Sequence, residues 1–217
     1  MRRRRERRHR CLVRIDQLER VGDDLLRPEA SRRHHPDVDG AAQLLKQHAV
    51  IAYPTEAVWG LGCSPWSELA VEKILHLKQR PVEKGLILLA SCFTQLEPFL
   101  RGLDSALIAR IQAPCAKPTT WLVPDNGAAP AWITGGRDTL AVRITQHPIA
   151  AALCELSGDL LVSTSANPQG LPPARTAEEA RAYFSGLIDG FTPGEVGAAA
   201  NPSEIRDIVS GEVIRAG

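Results

Sequence analysis

A chain of 217 residues with 44% hydrophobic content has apolar material for one good core or two small ones, and reads as one domain with an N-terminal extension. No run of about 18 apolar residues is present, which argues against a helical membrane span; five scattered cysteines without a C-x-x-C pair argue for a reducing compartment and against a cysteine zinc site. The net charge of +1 hides an asymmetry, because residues 1–35 hold twelve arginines and six acids whereas residues 36–217 carry a net charge of −5, so nucleic-acid binding there would rest on local basic patches.

The arginine-rich head, Met1 to Arg10, lacks the apolar centre of a secretion signal, so the protein is expected to be cytoplasmic. Residues 1–35 could be a basic arm for RNA; the reading preferred is an extension outside the fold, disordered or not native to the protein. A helix pattern begins near Asp37 or Asp39, each a candidate N-cap, with Ala41, Ala42, Leu44 and Leu45 on one face. Val50-Ile51-Ala52-Tyr53 reads as a buried strand. Pro54 to Cys63 reads as a loop by its proline and glycine content, though unusually apolar for a mere connection. Ser67 caps a helix whose buried stripe is Leu69, Val71, Ile74, Leu75 and Leu77. Pro81 disfavours helical backbone at Arg80, which places Lys78 and Arg80 at the helix end and Lys84 in the turn before a strand, Leu86 to Ala90. Such cations also suit the helix dipole, worth about 0.3–1 kcal/mol with no function implied.

Residues 94–112 read as helix in two pieces, broken near Pro98 or Gly102. Thr120 to Val123 and Thr139 to Ile144 read as strands, the second with Arg143 as its lone charge, separated by a polar loop from Pro124 to Gly136. His147 to Leu156 is a helix stopped by Gly158. Leu160 to Ser163 is a buried strand running into Thr164-Ser165-Ala166-Asn167-Pro168-Gln169-Gly170. Thr176 and Glu179 form a capping box for a helix reaching about Ser185. The tail carries Asn201-Pro202-Ser203-Glu204-Ile205 and a strand-like Glu212 to Arg215. Helices alternate with strands, which favours an α/β layered fold.

Phosphate-loop, dinucleotide-binding, zinc-protease and nucleophile-elbow motifs are all missing. A hydrolase built on Ser163 or Ser165 is disfavoured, since His147, the histidine nearest in sequence, sits where a helix begins. What remains is a distributed set: Thr55 and Glu56 after one strand, Lys78, Arg80 and Lys84 around a helix-to-strand seam, Ser163, Thr164, Ser165 and Asn167 after another strand, and Ser203 and Arg215 near the C-terminus. In open α/β sheets ligands gather at the carboxyl ends of strands, and this mixture of hydroxyls, amides and cations suits a polyanion with a polar head group.

The order and spacing of these pieces resemble one family. Ala52-Tyr53-Pro54-Thr55-Glu56-Ala57-Val58-Trp59-Gly60-Leu61-Gly62-Cys63 resembles the opening signature of the YrdC/TsaC family of threonylcarbamoyl-adenylate synthases. Lys78-Gln79-Arg80-Pro81 with Lys84-Gly85-Leu86 is similar to its K-x-R element, Ser163 to Asn167 with Gly170 to its S-x-N element, and Pro202 to Ile205 with Ile214 to Gly217 to its ending. The resemblance runs from about residue 38 to 217 and matches the short bacterial form. It implies an α/β fold, a single YrdC-like domain over residues 36–217 with a twisted mixed sheet flanked by helices and a concave ligand-binding face.

It further implies a nucleotidyltransferase that uses L-threonine, bicarbonate and ATP, with Mg²⁺ carried on the ATP and no metal ligand assigned to the protein. The products would be threonylcarbamoyl-AMP, which feeds the N6-threonylcarbamoyl modification of tRNA adenosine through downstream threonylcarbamoyl transferase proteins, and pyrophosphate. Binding of tRNA or double-stranded RNA belongs to the same picture, and a membrane does not. By similarity Lys78 and Arg80 hold phosphates and carboxylate and Lys84 adds field; Ser163, Ser165 and Asn167 bind nucleotide and reacting groups. Ser203 and Arg215 close the pocket, Thr55 contacts threonine with support from Arg143, and Thr120 falls in a matching strand. Replacing Lys78 or Arg80 by alanine is expected to abolish turnover with little loss of stability, since both lie outside the apolar pattern.

One stretch departs from the family pattern. Where the family usually carries Trp-Pro-Gly-Pro, this chain has Cys115-Ala116-Lys117-Pro118. Lys117 puts a Cβ and a charge where backbone could need positive φ or close ligand approach, so either the turn is rebuilt or ATP binding is weakened. With the arginine head, this departure supports an alternative: a non-catalytic RNA-binding or ribosome-assembly module that keeps the fold. The intact Lys78/Arg80 and Ser165/Asn167 elements speak against it.

Overall fold

The structure, a computed structural model, describes residues 35–217; the arginine-rich head, residues 1–34, lies outside the described residues. The chain begins with α1 (Pro36–Lys46), β1 (Ile51–Pro54), β2 (Trp59–Gly62) and α2 (Glu68–Lys78), then a 3-10 turn (Val82–Lys84) leads to β3 (Ile87–Ala90). It continues with α3 (Phe93–Leu96), a second 3-10 turn (Glu97–Leu100), α4 (Ser105–Gln112), β4 (Thr119–Pro124), α5 (Ala131–Thr134) and β5 (Thr139–Ile144). The last elements are α6 (Pro148–Ser157), β6 (Leu161–Ser165), α7 (Ala177–Phe184), β7 (Gly190–Phe191), β8 (Glu204–Asp207) and β9 (Val213–Arg215).

The strands form a mixed sheet in the order β7-β1-β2-β6-β3-β5-β4-β8-β9. Three pairs are parallel (β1/β7, β3/β5, β4/β8) and five antiparallel (β1/β2, β2/β6, β3/β6, β4/β5, β8/β9). Side-chain alternation decides what each face does. On one face Trp59, Leu61, Leu88, Trp121, Val123, Leu140, Val142 and Val162 enter the larger core, shared with Val71 and Ile74 of α2 and Phe184 of α7. On the other, Ile51, Tyr53, Leu89 and Leu161 pack under α1 and α6 through Leu45, Ile149 and Leu153. That pair of helices covers only part of its face. The intervening residues of β4, β5 and β6, namely Leu122, Ala141, Arg143, Ser163 and Ser165, line an open hollow instead.

The expected helix stop at Gly158 and the Thr176/Glu179 capping box are both present. Helix α1 starts at Pro36 with the His35 ring as its cap, accepting from the Asp37 N–H at 3.2 Å, so neither Asp37 nor Asp39 is the N-cap. Pro54 to Cys63 is not a loop. It is a hairpin in which β2 pairs with both β1 and β6. Gly60 and Gly62 belong to that strand because the Tyr53 ring and the β6 backbone crowd it: a Cβ on Gly62 would stand 2.5 Å from the Val162 carbonyl oxygen and 2.7 Å from the ring. The segment Glu204 to Asp207, to which the sequence pattern assigns no element, is a strand because it adds in parallel to β4.

Candidate active site

The hollow is a cavity of about 330 Å³ on the sheet face that α1 and α6 leave uncovered. Its floor is β4, β5 and β6; its walls are the β1–β2 turn, the segment from Arg80 to Ile87, the 133–139 loop and the C-terminal segment. Five cations line it: Arg80, Lys84, Arg137, Arg143 and Arg215. Glu56 is the one carboxylate among the described lining residues.

Helix α2 ends at Lys78 because Gln79 takes left-handed backbone (φ 48°), and the Arg80 N–H folds back to the Leu75 carbonyl at 2.9 Å. This reversal sends Arg80 toward the hollow. Its Nη2 donates to the Gly85 carbonyl at 2.9 Å, while its buried Nε has no protein partner. Burial, and then Arg215 and Arg137, push the Arg80 guanidinium below its ordinary range; burial and Arg143 do the same to Arg215. Neither Arg80, Arg137 nor Arg215 meets a carboxylate among the described residues. A cavity in which cations depress one another and a buried donor lacks an acceptor is built for an anion of several charges.

Lys78 lies behind that wall and is only 5% exposed. Its ammonium donates to the Ser165 carbonyl, to the Asn167 carbonyl at 2.8 Å and to Asn167 Oδ1 at 3.2 Å. Ser165 Oγ donates to Asn167 Oδ1 at 2.6 Å, and Asn167 Nδ2 donates to the Leu171 carbonyl at 2.8 Å. The loop after β6 is thus tied to the end of α2. Burial, with Arg80 as a second cause, lowers the Lys78 ammonium to about 8. Its expected place outside the buried pattern is corrected by this geometry, and with it the expectation that removing it costs little stability.

Opposite, Thr120 and Ser203 share a buried hydroxyl pair at 2.8 Å, and Arg215 Nη2 donates to the Ser203 carbonyl at 2.6 Å, which brings β9 to the cavity. Thr55 closes the β1–β2 turn by donating to the Val58 carbonyl at 2.7 Å. Glu56 pairs with Arg143 and accepts from Thr145 Oγ1 and the Gln146 N–H, both at 2.9 Å. Burial alone would raise its carboxyl, but Arg143 and the Gln146 N–H outweigh that and hold it below the ordinary carboxylate range.

Of the residues singled out from the sequence, Thr55, Arg80, Lys84, Arg143, Ser163, Ser165, Ser203 and Arg215 line the cavity. Lys78, Asn167 and Thr120 act through a lining neighbour. Arg137 was missed; it comes from a loop of ordinary polar composition and is aimed by its Nε, which donates to the Glu83 carbonyl at 2.6 Å. Glu56 was noticed without a role. Lys117 is exposed and does not take positive φ, so its turn is one that any residue can adopt. It lies on a second cavity of about 320 Å³, which shares Glu56, Arg143 and Pro118 with the first. No group of three or more His, Cys, Asp or Glu placed to hold a metal exists among the described residues, and no described helix is long and apolar enough to cross a membrane.

A family model described as Sua5_yciO_yrdC, Telomere recombination, matches residues 43–217. The chain belongs to the Sua5/YciO/YrdC family. Within it, the chain is 53% identical over 181 residues to a threonylcarbamoyl-AMP synthase of Cellvibrio japonicus (strain Ueda107), covering 83% of this chain and 96% of the relative. It is 50% identical over 175 residues to one of Pseudomonas paraeruginosa, covering 81% and 94%. Among solved structures, P. abyssi Sua5 complexed with L-threonine is similar at a TM-score of 0.74 and 32% identity, over 78% of this chain and 50% of that one. The H234A/Y235A form of the same Sua5 gives 0.76 and 31%, over 82% and 55%, so this chain spans about half the length of those Sua5 chains. E. coli YciO shares the fold at a TM-score of 0.71 and 24% identity, over 83% and 88%.

Proposed function

We propose that this chain is a threonylcarbamoyl-AMP synthase, joining L-threonine, bicarbonate and ATP into threonylcarbamoyl-AMP and pyrophosphate. The observation that carries the reading is the meeting of the Lys78/Arg80 and Ser165/Asn167 elements at one cavity whose cations Arg80, Arg137 and Arg215 meet no carboxylate among the described residues. In the transfer step a carbamate oxygen bonds to the α-phosphorus of ATP as the α,β-bridging oxygen leaves with pyrophosphate. Charge then builds on phosphate oxygens, and fixed cations that do not have to reorganise stabilise it.

Arg80, with its unpartnered Nε, and Lys84 and Arg137 beside it face the polyphosphate. Charge-assisted hydrogen bonds of this kind contribute about 1.5–3 kcal/mol each. Ser163, Ser165 and Asn167 bind nucleotide and reacting groups, and Ser203 and Arg215 close the nucleotide end. Thr55 contacts the threonine, supported by Arg143. Mg²⁺ enters as part of the nucleotide substrate, because Glu56, the described cavity carboxylate, is already spent on Arg143, Thr145 and Gln146. A nucleotidyltransferase class, a cytoplasmic location, hand-over of product to a threonylcarbamoyl transferase and contact with tRNA complete the proposal. Pyrophosphate release by the purified chain should require ATP, threonine and bicarbonate together. Release independent of threonine would overturn it, and no release together with steeply salt-dependent binding of structured RNA would favour the RNA-module reading, which the relatives do not favour.

A further inference from the structure

Charge is not spread evenly around the first cavity. Arg80, Arg137 and Arg215 meet no carboxylate among the described residues, whereas Arg143 is paired with Glu56. The unpaired cations act on one another, since Arg80 feels both Arg215 and Arg137. One part of the cavity is therefore purely cationic, and another, at the β1–β2 turn, sets a positive and a negative group side by side. The two larger reagents differ in the same way. A triphosphate is a polyanion, but a free amino acid brings one carboxylate and one ammonium.

Glu56 is held from several directions. Its Oε2 accepts from Arg143, and its Oε1 accepts from Thr145 Oγ1 and the Gln146 N–H, both at 2.9 Å. Its main-chain carbonyl accepts from the Ala199 N–H at 3.0 Å, and the Thr55 carbonyl before it from the Gly197 N–H at 2.9 Å. A carboxylate clamped in this way, with its side chain only 14% exposed, carries a field that does not have to reorganise when a ligand arrives. An ion pair so buried adds little stability over apolar side chains of the same size, so its place on the cavity wall beside Thr55 calls for another role.

We propose that Glu56 is a specificity-determining residue: by cancelling the charge of Arg143 and presenting its own to the cavity, it reserves that region for a zwitterion and turns the phosphates toward Arg80, Arg137 and Arg215. The proposal rests on the synthase reading. It puts the carboxylate of threonine on the Arg143 side and the ammonium on the Glu56 side. Glu56 works through its field and through the aim it gives Arg143, which makes it a positioning residue rather than a catalytic one.

The test is the affinity of the full chain, without nucleotide, for L-threonine and for 2,3-dihydroxybutanoate, the same skeleton with a hydroxyl in place of the ammonium. Calorimetric titration of the wild type should show a preference for threonine of about tenfold or more. Glu56→Gln keeps an acceptor for Thr145 and Gln146 but carries no charge, and should abolish or reverse that preference. Inorganic triphosphate, competing with ATP alone in the wild type, should then compete with threonine as well. If that variant does not fold, Glu56→Gln combined with Arg143→Met removes both charges and should bind the two compounds without preference. Equal affinities in the wild type overturn the proposal and leave the synthase reading intact. So does a preference of wild-type size kept in either folded variant, the result expected of a merely structural pair whose loss weakens both ligands alike. A wild-type chain that binds no threonine overturns the synthase reading itself, and this role with it.

Discussion

Lys78 shows what a single side chain contributes here. Its ammonium is buried against two carbonyls and an amide oxygen, so replacing it by methionine strands acceptors that otherwise pin the loop after β6, at a cost of about 1–3 kcal/mol. The Lys78→Met variant should melt below wild type as well as lose turnover; an unchanged melting temperature would show that the loop holds itself. The same burial, with help from Arg80, lowers the ammonium to about 8. Docking of a polyphosphate favours the protonated form and raises that value, so binding takes up a proton at any pH between the free and bound values. Affinity for ATP should therefore be flat below pH 8 and fall as pH rises above it, by up to about tenfold per unit. Calorimetry in buffers of different ionisation enthalpy reads this directly; an equally sharp bend in Lys78→Met would assign the proton elsewhere. Lys78, Arg80 and Lys84 were legible because Pro81 fixes where the helix stops. Arg137 was not, since only the contact of its loop with Glu83 aims it.

Among the elements, the 3-10 turn Val82–Lys84 and the loop after α5 behave as one unit. The Leu86 N–H donates to the Ile133 carbonyl at 2.9 Å, and Gly135, at φ 66°, lies so close that a Cβ would overlap the Val82 carbonyl oxygen. Two cavity cations, Lys84 and Arg137, ride on this junction. Gly135→Ala should cost about 1–3 kcal/mol from strain and crowding, and should also raise the KM for ATP as the two cations part. A variant destabilised but with unchanged ATP affinity would separate the junction from the site. Helices α2, α6 and α7 were readable because caps and periodicity are local signals. Strand β2 was not, because glycines that signal a loop in sequence are demanded there by the Tyr53 ring, a contact made only once β1 and β2 pair. Strand order stayed hidden for the same reason: pairing across β6 joins segments about a hundred residues apart.

For the molecule as a whole, a domain with a net charge of −5 over residues 36–217 holds a cavity lined by five cations. Attraction of nucleotide is therefore a local field against an opposing background, and salt should weaken ATP binding, on the order of tenfold between dilute and half-molar sodium chloride, while threonine binding changes little. Salt-insensitive ATP affinity would mean that the arginines are structural. The alternation along β5 has a consequence for folding. Arg143 occupies the open side of a strand whose neighbours Leu140 and Val142 belong to the main core. Slipping that strand by one residue would drive a guanidinium into hydrocarbon and eject two aliphatic chains, an error costing several kcal/mol. The group that serves the reaction thus also polices assembly: a chain that pairs out of step is rejected by the very charge it needs for its work.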